Sequence, residues 1–191
     1  MDNTVGSLTQ EQNSIIIGSL LGDGYLRIVP NRKNALFEVN HSYAQKDYVD
    51  WKYQKLKNIT KSPPKARSGN AQRIAYRFFT RQHSELTKFY RMFYNNGKKI
   101  IPQLELNPLV MAVWFMDDGS KSYKTFYLNT QQFDFTSQQK IIGMLKDYYG
   151  INSALNKDKN YYRIRIKQDS AKKFREIIVN YVISSMAYKL G

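Results

Sequence analysis

A chain of 191 residues with no cysteine and two histidines has no disulfide scaffold and no cysteine-ligated zinc module, and too few imidazoles for a His-built metal nuclease site. Its 30 Lys and Arg against 15 Asp and Glu leave a formal charge of +15, too large an excess for the ordinary face of a small-molecule enzyme and suited to a polyanion, most often nucleic acid. Apolar residues make up 42%, enough for a packed core. Met1-Asp2-Asn3-Thr4 opens no secretory signal and no apolar run approaches the ~18 residues of a membrane span, so a soluble intracellular protein is expected, with no membrane partner.

Residues 1–8 read as a loose leader. Thr9 and Gln12 form a capping-box pattern that opens a helix through Ile15, Ile16, Leu20 and Leu21, stopped at Gly22-Asp23-Gly24. Strands are expected at Tyr25–Val29 and Leu36–Ser42 around a Pro30–Asn34 turn, then a helix from Gln45 to Ile59 that Pro63-Pro64 ends. A second hairpin follows. Its strand, Gln72–Thr80, alternates Arg73, Ala75, Arg77 and Phe79 against Ile74, Tyr76 and Phe78. A helix is expected over 84–95, then a connector over 96–106.

Asn107-Pro108 is an N-cap followed by Pro at the first helical position, and this helix runs to Asp118-Gly119. A strand over 125–131 puts Tyr127, Asn129 and Gln131 on one face. Thr136 and Gln139 read as a capping box for a helix that Gly150 closes. A strand over 161–167 sets Arg163, Arg165 and Lys167 against Tyr162, Ile164 and Ile166, and a helix over 170–182 completes the pattern.

Both halves therefore read α-β-β-α-β-β-α, and each begins with an apolar helix ending in Asp-Gly. Asp23 and Asp118 lie 118 − 23 = 95 residues apart, about half the chain. This is an internal duplication of architecture. The fold expected is α+β, with two pseudo-two-fold related halves whose antiparallel sheets form a saddle. The halves are placed at 1–97 and 107–191, joined by a connector at 98–106. Gly18, Gly22 and Ala112 suit close contact between the two marked helices.

A carboxylate at a helix C-terminus opposes the dipole by up to about 1 kcal/mol. Two of them side by side beneath a basic sheet call for divalent cations, with Mg²⁺ favoured by carboxylate, carbonyl and water oxygens. Arg163, Arg165 and Lys167 would recur at about 6–7 Å intervals along one strand face. Such a sheet can enter the major groove of a duplex, where Arg pairs with guanine and Asn or Gln with adenine.

Ile16–Gly24 and Met111–Gly119, at this spacing and in this repeated topology, resemble the paired motifs of the LAGLIDADG homing endonucleases in their single-chain form. Lys98-Lys99-Ile100-Ile101-Pro102, Leu128–Gln131 and Tyr188-Lys189-Leu190 strengthen the likeness, which spans residues 10–190. The resemblance implies a monomer that binds a long, non-palindromic double-stranded DNA site and cuts both strands across the minor groove with Mg²⁺, leaving short 3′ overhangs. Mn²⁺ would substitute, and Ca²⁺ would bind without supporting cleavage. A non-cutting splicing cofactor of the same fold is the alternative. An intron-encoded member would work in a mitochondrion or chloroplast, or otherwise in a prokaryotic cytoplasm.

Carried over by position, Asp23 and Asp118 would hold metal, aided by the main-chain carbonyls of Gly22 and Asp117. Lys99, with Lys98 as competitor, and Lys189 would be the active-site lysines, and Gln131 and Glu38 would order water. DNA contacts are expected from Arg27, Arg32, Lys33, Asn40, Arg67, Arg73 and Arg77 in the first half. In the second they are expected from Lys121, Lys124, Asn129, Lys157, Arg163, Arg165 and Lys167. Val113 stands where Gly18 supplies a small residue, so the helix contact is expected to be asymmetric. Lys189, two residues from the chain end, is expected to fray.

Overall fold

The computed structural model describes residues 6–69 and 73–191. The first half runs α1 (Gln10–Leu21), β1 (Tyr25–Ile28), β2 (Ala35–Ser42), α2 (Lys46–Leu56), β3 (Lys65–Ser68), β4 (Ile74–Phe79) and α3 (Ser84–Phe93). A short hairpin, β5 (Tyr94–Asn95) and β6 (Lys98–Lys99), leads to the second half. That half repeats the order: α4 (Pro108–Asp118), β7 (Gly119–Ser122), β8 (Thr125–Leu128), α5 (Phe135–Tyr149), β9 (Ser153–Asp158), β10 (Tyr161–Ile166) and α6 (Gln168–Ile178).

Each half closes one antiparallel sheet, in the orders β1-β2-β4-β3 and β7-β8-β10-β9. The period-two pattern decides which face is buried. Leu26, Phe37, Val39 and Phe78 face the core in the first sheet, and Phe126, Leu128, Ile164 and Ile166 in the second. Full burial of each such side chain stabilises by about 1.5–3 kcal/mol. The opposite faces carry the charge.

The two halves meet along α1 and α4. Thr9 Oγ1 accepts from the Gln12 N–H while Gln12 Oε1 accepts from the Thr9 N–H, so the expected capping box starts α1. The Asn107 side chain caps α4 through the Val110 N–H. Both helices are apolar on nearly all sides, which suits an element buried between two layers. Every residue from Val110 to Asp117 is buried.

Their approach is close because α1 offers two glycines. A Cβ on Gly18 would lie 2.6 Å from the Val110 carbonyl oxygen and 2.7 Å from Val113 Cβ. One on Gly22 would lie 2.4 Å from Asp117 Cβ. The asymmetry expected from Val113 is thus present, since its side chain fills the space that Gly18 leaves.

Several expectations change. The helix expected over 84–95 ends at Phe93, because Asn96 and Gly97 both take positive φ (47° and 75°) and turn Tyr94-Asn95 back onto Lys98-Lys99. The hairpin therefore straddles the boundary placed between 97 and 98. Helix α5 is capped by Asp134, whose carboxylate accepts from the Ser137 N–H, so Thr136 lies inside the first turn. Lys189, expected to fray, lies in a 3₁₀ segment, Ser184–Leu190, that Met186 and Leu190 anchor in the core. Of the leader expected at 1–8, residues 1–5 lie outside the described residues. Leu8 is buried, its N–H donating to Glu85. Gln72 also lies outside them. Among the described residues, no helix is long and apolar enough to cross a membrane.

Candidate active site and nucleic-acid interface

Asp23 follows α1 and Asp118 ends α4, so the packing of those helices brings both acids to one end of the interface between the halves. Gln132 spans the two helix ends: its Nε2 donates to the Gly22 carbonyl at 3.1 Å and reaches Asp118 Oδ2 at 3.4 Å. Burial first, then the charges of Asp23 and Asp117, lift the Asp118 carboxyl to about 7. Asp23 is raised by burial and by Asp117.

Lys99 and Lys189 enter from opposite sides. Lys99 Nζ donates to the Gly22 carbonyl at 2.9 Å, and Lys189 Nζ to the Met116 and Asp117 carbonyls at 2.6 and 2.8 Å. Each lysine thus satisfies carbonyls left open at the end of one marked helix. Burial lowers Lys99 to about 8 and lowers Lys189 too, against the pull of the three acids. The β5–β6 hairpin selects Lys99 over Lys98, which is exposed. The Asn96-Gly97 dipeptide was the sequence signal for that hairpin.

The expected carbonyl ligands are therefore engaged. Gly22 accepts from both Lys99 and Gln132, which uses both lone pairs of its oxygen, and Asp117 accepts from Lys189. The two carboxylates offer hard oxygens of the kind Mg²⁺ takes. Among the described residues, no group of three or more His, Asp or Glu side chains is arranged to hold a metal ion. A cation here would complete its shell with water and substrate oxygens, which is the habit of Mg²⁺.

Two candidates for ordering water lie elsewhere. Gln131 Nε2 donates to Asp158 Oδ2 at 2.8 Å, while its neighbour Gln132 faces the acids. The expected strand was carried too far: β8 ends at Leu128 and a turn closed by Phe133 N–H to the Thr130 carbonyl breaks the alternation. Glu38 sits on the outer face of β2, 3.8 Å from Arg27 Nε and 3.9 Å from Arg77 Nη1, among the arginines of the sheet.

Asp117 differs most from expectation. Its side chain is fully buried and crosses into the first half, where Oδ1 accepts from Lys52 Nζ and from Tyr48 Oη, each at 2.7 Å. His41 Nε2 lies 3.7 Å from the same oxygen, and His41 Nδ1 lies 3.5 Å from Asp23 Oδ2. Burial, then Lys52, holds His41 down at about 4, so it is neutral at pH 7. Sequence reading placed none of Lys52, Tyr48 and His41 here. A lysine between the part-exposed Lys46 and Lys55 of α2 gives no local sign of burial.

Register settles which basic residues share a face. Tyr25 pairs with Glu38, Asn40 with Arg77, and Lys65 with Arg77, so Arg27, Asn40, Arg67 and Arg77 lie together on the outer side of the first sheet. Arg32 and Lys33 are exposed in the β1–β2 turn and Arg73 is exposed just before β4. In the second sheet Arg165 pairs with Tyr127, and the Arg163 guanidinium lies 4.0 Å over the Tyr127 ring, with Asn129 at the end of β8. Lys124 lies in the β7–β8 turn and Lys167 just past β10. Lys121 and Lys157 pair with Phe126 and Tyr162, which puts them on the other side from the arginines, and the Lys121 stem lies along Gly191.

Two like-ordered halves, joined along acid-terminated helices and each with a basic outer sheet face, define a single-chain, two-motif protein of the LAGLIDADG class. The chain belongs to the LAGLIDADG DNA endonuclease family, whose sequence profile matches residues 13–174. It is 30% identical over 210 residues to DNA endonuclease I-ChuI of Chlamydomonas applanata, covering 97% of this chain and 96% of that protein. Probable intron-encoded endonuclease 1 of Wickerhamomyces canadensis is 30% identical over 200 residues, 96% of this chain and 85% of that protein. Cytochrome b mRNA maturase bI2 of Saccharomyces cerevisiae is 30% identical over 210 residues; the match takes in all of this chain but 50% of the maturase, so the chain spans half of that relative. A solved structure, the homing endonuclease I-WcaI bound to its DNA recognition sequence, matches with a TM-score of 0.90 and 27% identity, covering 97% of this chain and 88% of that one.

Proposed function

We propose that this protein is a site-specific DNA endonuclease that binds a long, non-palindromic duplex as a monomer and hydrolyses a phosphodiester in each strand with Mg²⁺, leaving short 3′ overhangs. The observation that carries the reading is the pair of acids, Asp23 and Asp118, at the junction of the two halves, with Lys99 and Lys189 bonded to the helix-end carbonyls beside them and a basic sheet face on each side. Asp23 and Asp118 hold the catalytic cations, for which Mn²⁺ substitutes and Ca²⁺ permits binding without cutting. When bound, such a cation polarises the scissile phosphate and acidifies an attacking water. Lys99, brought to about 8 by burial, is still cationic at neutral pH and faces the charge that builds on the phosphate. Lys189 does the same from the second half, and Gln132 fixes the Asp118 carboxylate.

The arginines of both outer faces read base edges in the major groove while turn lysines meet phosphates. The resemblance to intron-encoded relatives supports an intron-encoded protein of a mitochondrion or chloroplast. The test is incubation of the purified protein and Mg²⁺ with duplexes spanning the intron-less junction of its flanking gene. Linearised product supports the reading, and intact DNA at saturating protein opposes it.

A second reading is favoured by the maturase relatives from Saccharomyces cerevisiae and Debaryomyces hansenii. As a splicing cofactor, the protein would accelerate excision of its own intron RNA with or without cutting DNA. A splicing assay on that transcript separates the two.

A further inference from the structure

The duplication allows each residue of the first half to be compared with its counterpart in the second. In the second half the Asn129 N–H bonds the Asp118 carbonyl and Gly119 pairs with Leu128. Counting back along the β1–β2 register puts Asn40 in the matching place beside Asp23, an offset of 129 − 40 = 89. Helices α2 and α5 begin at the same offset, 135 − 46 = 89. His41 then corresponds to Thr130, Tyr48 to Ser137 and Lys52 to Ile141, while Asp117 corresponds to Gly22 through the motif spacing. The polar cluster around Asp117 is therefore built on one side only.

The sister half does without it. Thr130, Ser137 and Ile141 stand at the matching positions in the second half, two hydroxyls and a fully buried isoleucine. Burying an ion pair such as Lys52–Asp117 costs several kcal/mol per ion before attraction offsets it, and apolar side chains do as well or better for stability. A cluster that the sister half omits calls for a role beyond packing, and its connections indicate one. Lys52 and Tyr48 fix Asp117, Asp117 faces one nitrogen of His41, and the other nitrogen faces Asp23. The His41 ring is 3% exposed, rests against the Tyr48 ring at 5.3 Å, and also bonds Gln45. Asp23 is otherwise half-exposed, on a cavity of about 340 Å³ lined by Asn40, Ser42, Gln45 and Arg73. Asp118 has no histidine and is met by Gln132 instead.

We infer that His41 is a positioning residue for Asp23, locked in place by the buried Lys52–Asp117–Tyr48 cluster, and that this one-sided support makes the two cutting centres unequal. The inference rests on the nuclease reading for its consequence but not for the contact itself. With only His41 and His83 in the chain, the imidazole ¹⁵N signals of the intact protein are readily assigned, and His83 serves as reference. Asp23→Asn and Asp117→Asn each shift the His41 nitrogens and leave those of His83 in place. Unmoved His41 signals in a folded Asp23→Asn protein overturn the inference.

The second measurement follows each strand of an end-labelled target duplex in Mg²⁺. His41→Ala slows one strand at least about tenfold and the other less than about threefold, so nicked DNA accumulates. Free imidazole restores the slow strand. Lys52→Met, which leaves His41 in place but loosens its anchor, gives the same bias to a smaller degree. Equal slowing of both strands, or no bias in His41→Ala with duplex binding retained in Ca²⁺, means a structural role only and overturns the inference. Should the unaltered protein cut neither strand, the nuclease reading falls, and the imidazole signals still decide the contact.

Discussion

Gly22 and Asp117 hold matching positions in the two motifs, and only one of them has room for a side chain. A methyl group on Gly22 would sit 2.4 Å from Asp117 Cβ and 3.0 Å from its Oδ2. Gly22→Ala must therefore push the two central helices apart or expel a buried carboxylate. The expected cost is about 2–3 kcal/mol, read as a fall in Tm of roughly 5–10 °C by thermal unfolding. Gly18→Ala, whose Cβ meets the Val110 carbonyl, costs a similar amount.

Lys52→Met removes the ammonium from a carboxylate that has no water to turn to. Breaking a buried pair by one partner costs about 3–5 kcal/mol. The double variant Lys52→Met with Asp117→Asn removes both charges and should lose less than the sum of the singles. A denaturant-unfolding double-mutant cycle measures the coupling.

Asp118 sets a pH dependence whose sign follows from its raised pKa. The folded carboxyl titrates at about 7 against an ordinary 3.8, so the folded state binds this proton more tightly than the unfolded chain. Its contribution is full below about pH 4 and is lost as pH rises through about 7. Asn cannot ionise and avoids that loss. In chelator, Asp118→Asn should melt a few degrees above the unaltered protein at about pH 8, and the gain should vanish toward pH 4. Added Mg²⁺ should raise the unaltered protein more than the variant.

Duplex affinity should fall steeply with salt, since released counterions drive much of such binding. Lys124→Ala, a turn cation expected at a phosphate, should weaken binding to all sequences alike and reduce the salt slope by about 1. Arg165→Ala, on the outer sheet face beside Tyr127, should relax preference at one base pair by about 1–3 kcal/mol. Fluorescence anisotropy on matched and mismatched duplexes distinguishes the two.

The duplicated order, the paired helices and both acids were legible in the sequence because each rests on a local pattern. Caps mark the helix starts, period-two alternation marks the sheet faces, and Asp-Gly recurs after an apolar run. Lys99 follows only from the family resemblance, with Lys98 left as its competitor, because the hairpin that separates the two straddles the end of an expected helix (Tyr94-Asn95) and an expected connector (Lys98-Lys99). Gln132 was missed because a turn at Thr130–Phe133 reversed the alternation that pointed to Gln131. The buried Asp117 cluster was not legible at all. Its members come from β2, α2 and α4, and Lys52 looks like its solvated neighbours until tertiary packing closes over it. Long-range burial of a charge leaves no periodic trace in a single sequence.

The most direct test of the central claim compares Asp23→Asn and Asp118→Asn with the unaltered protein on one target duplex. Strand cleavage is measured in Mg²⁺, and affinity in Ca²⁺. Paired acids that each serve one of the two cutting centres predict that either substitution abolishes double-strand cutting while affinity stays within about threefold. Full double-strand cleavage by either variant would contradict the account.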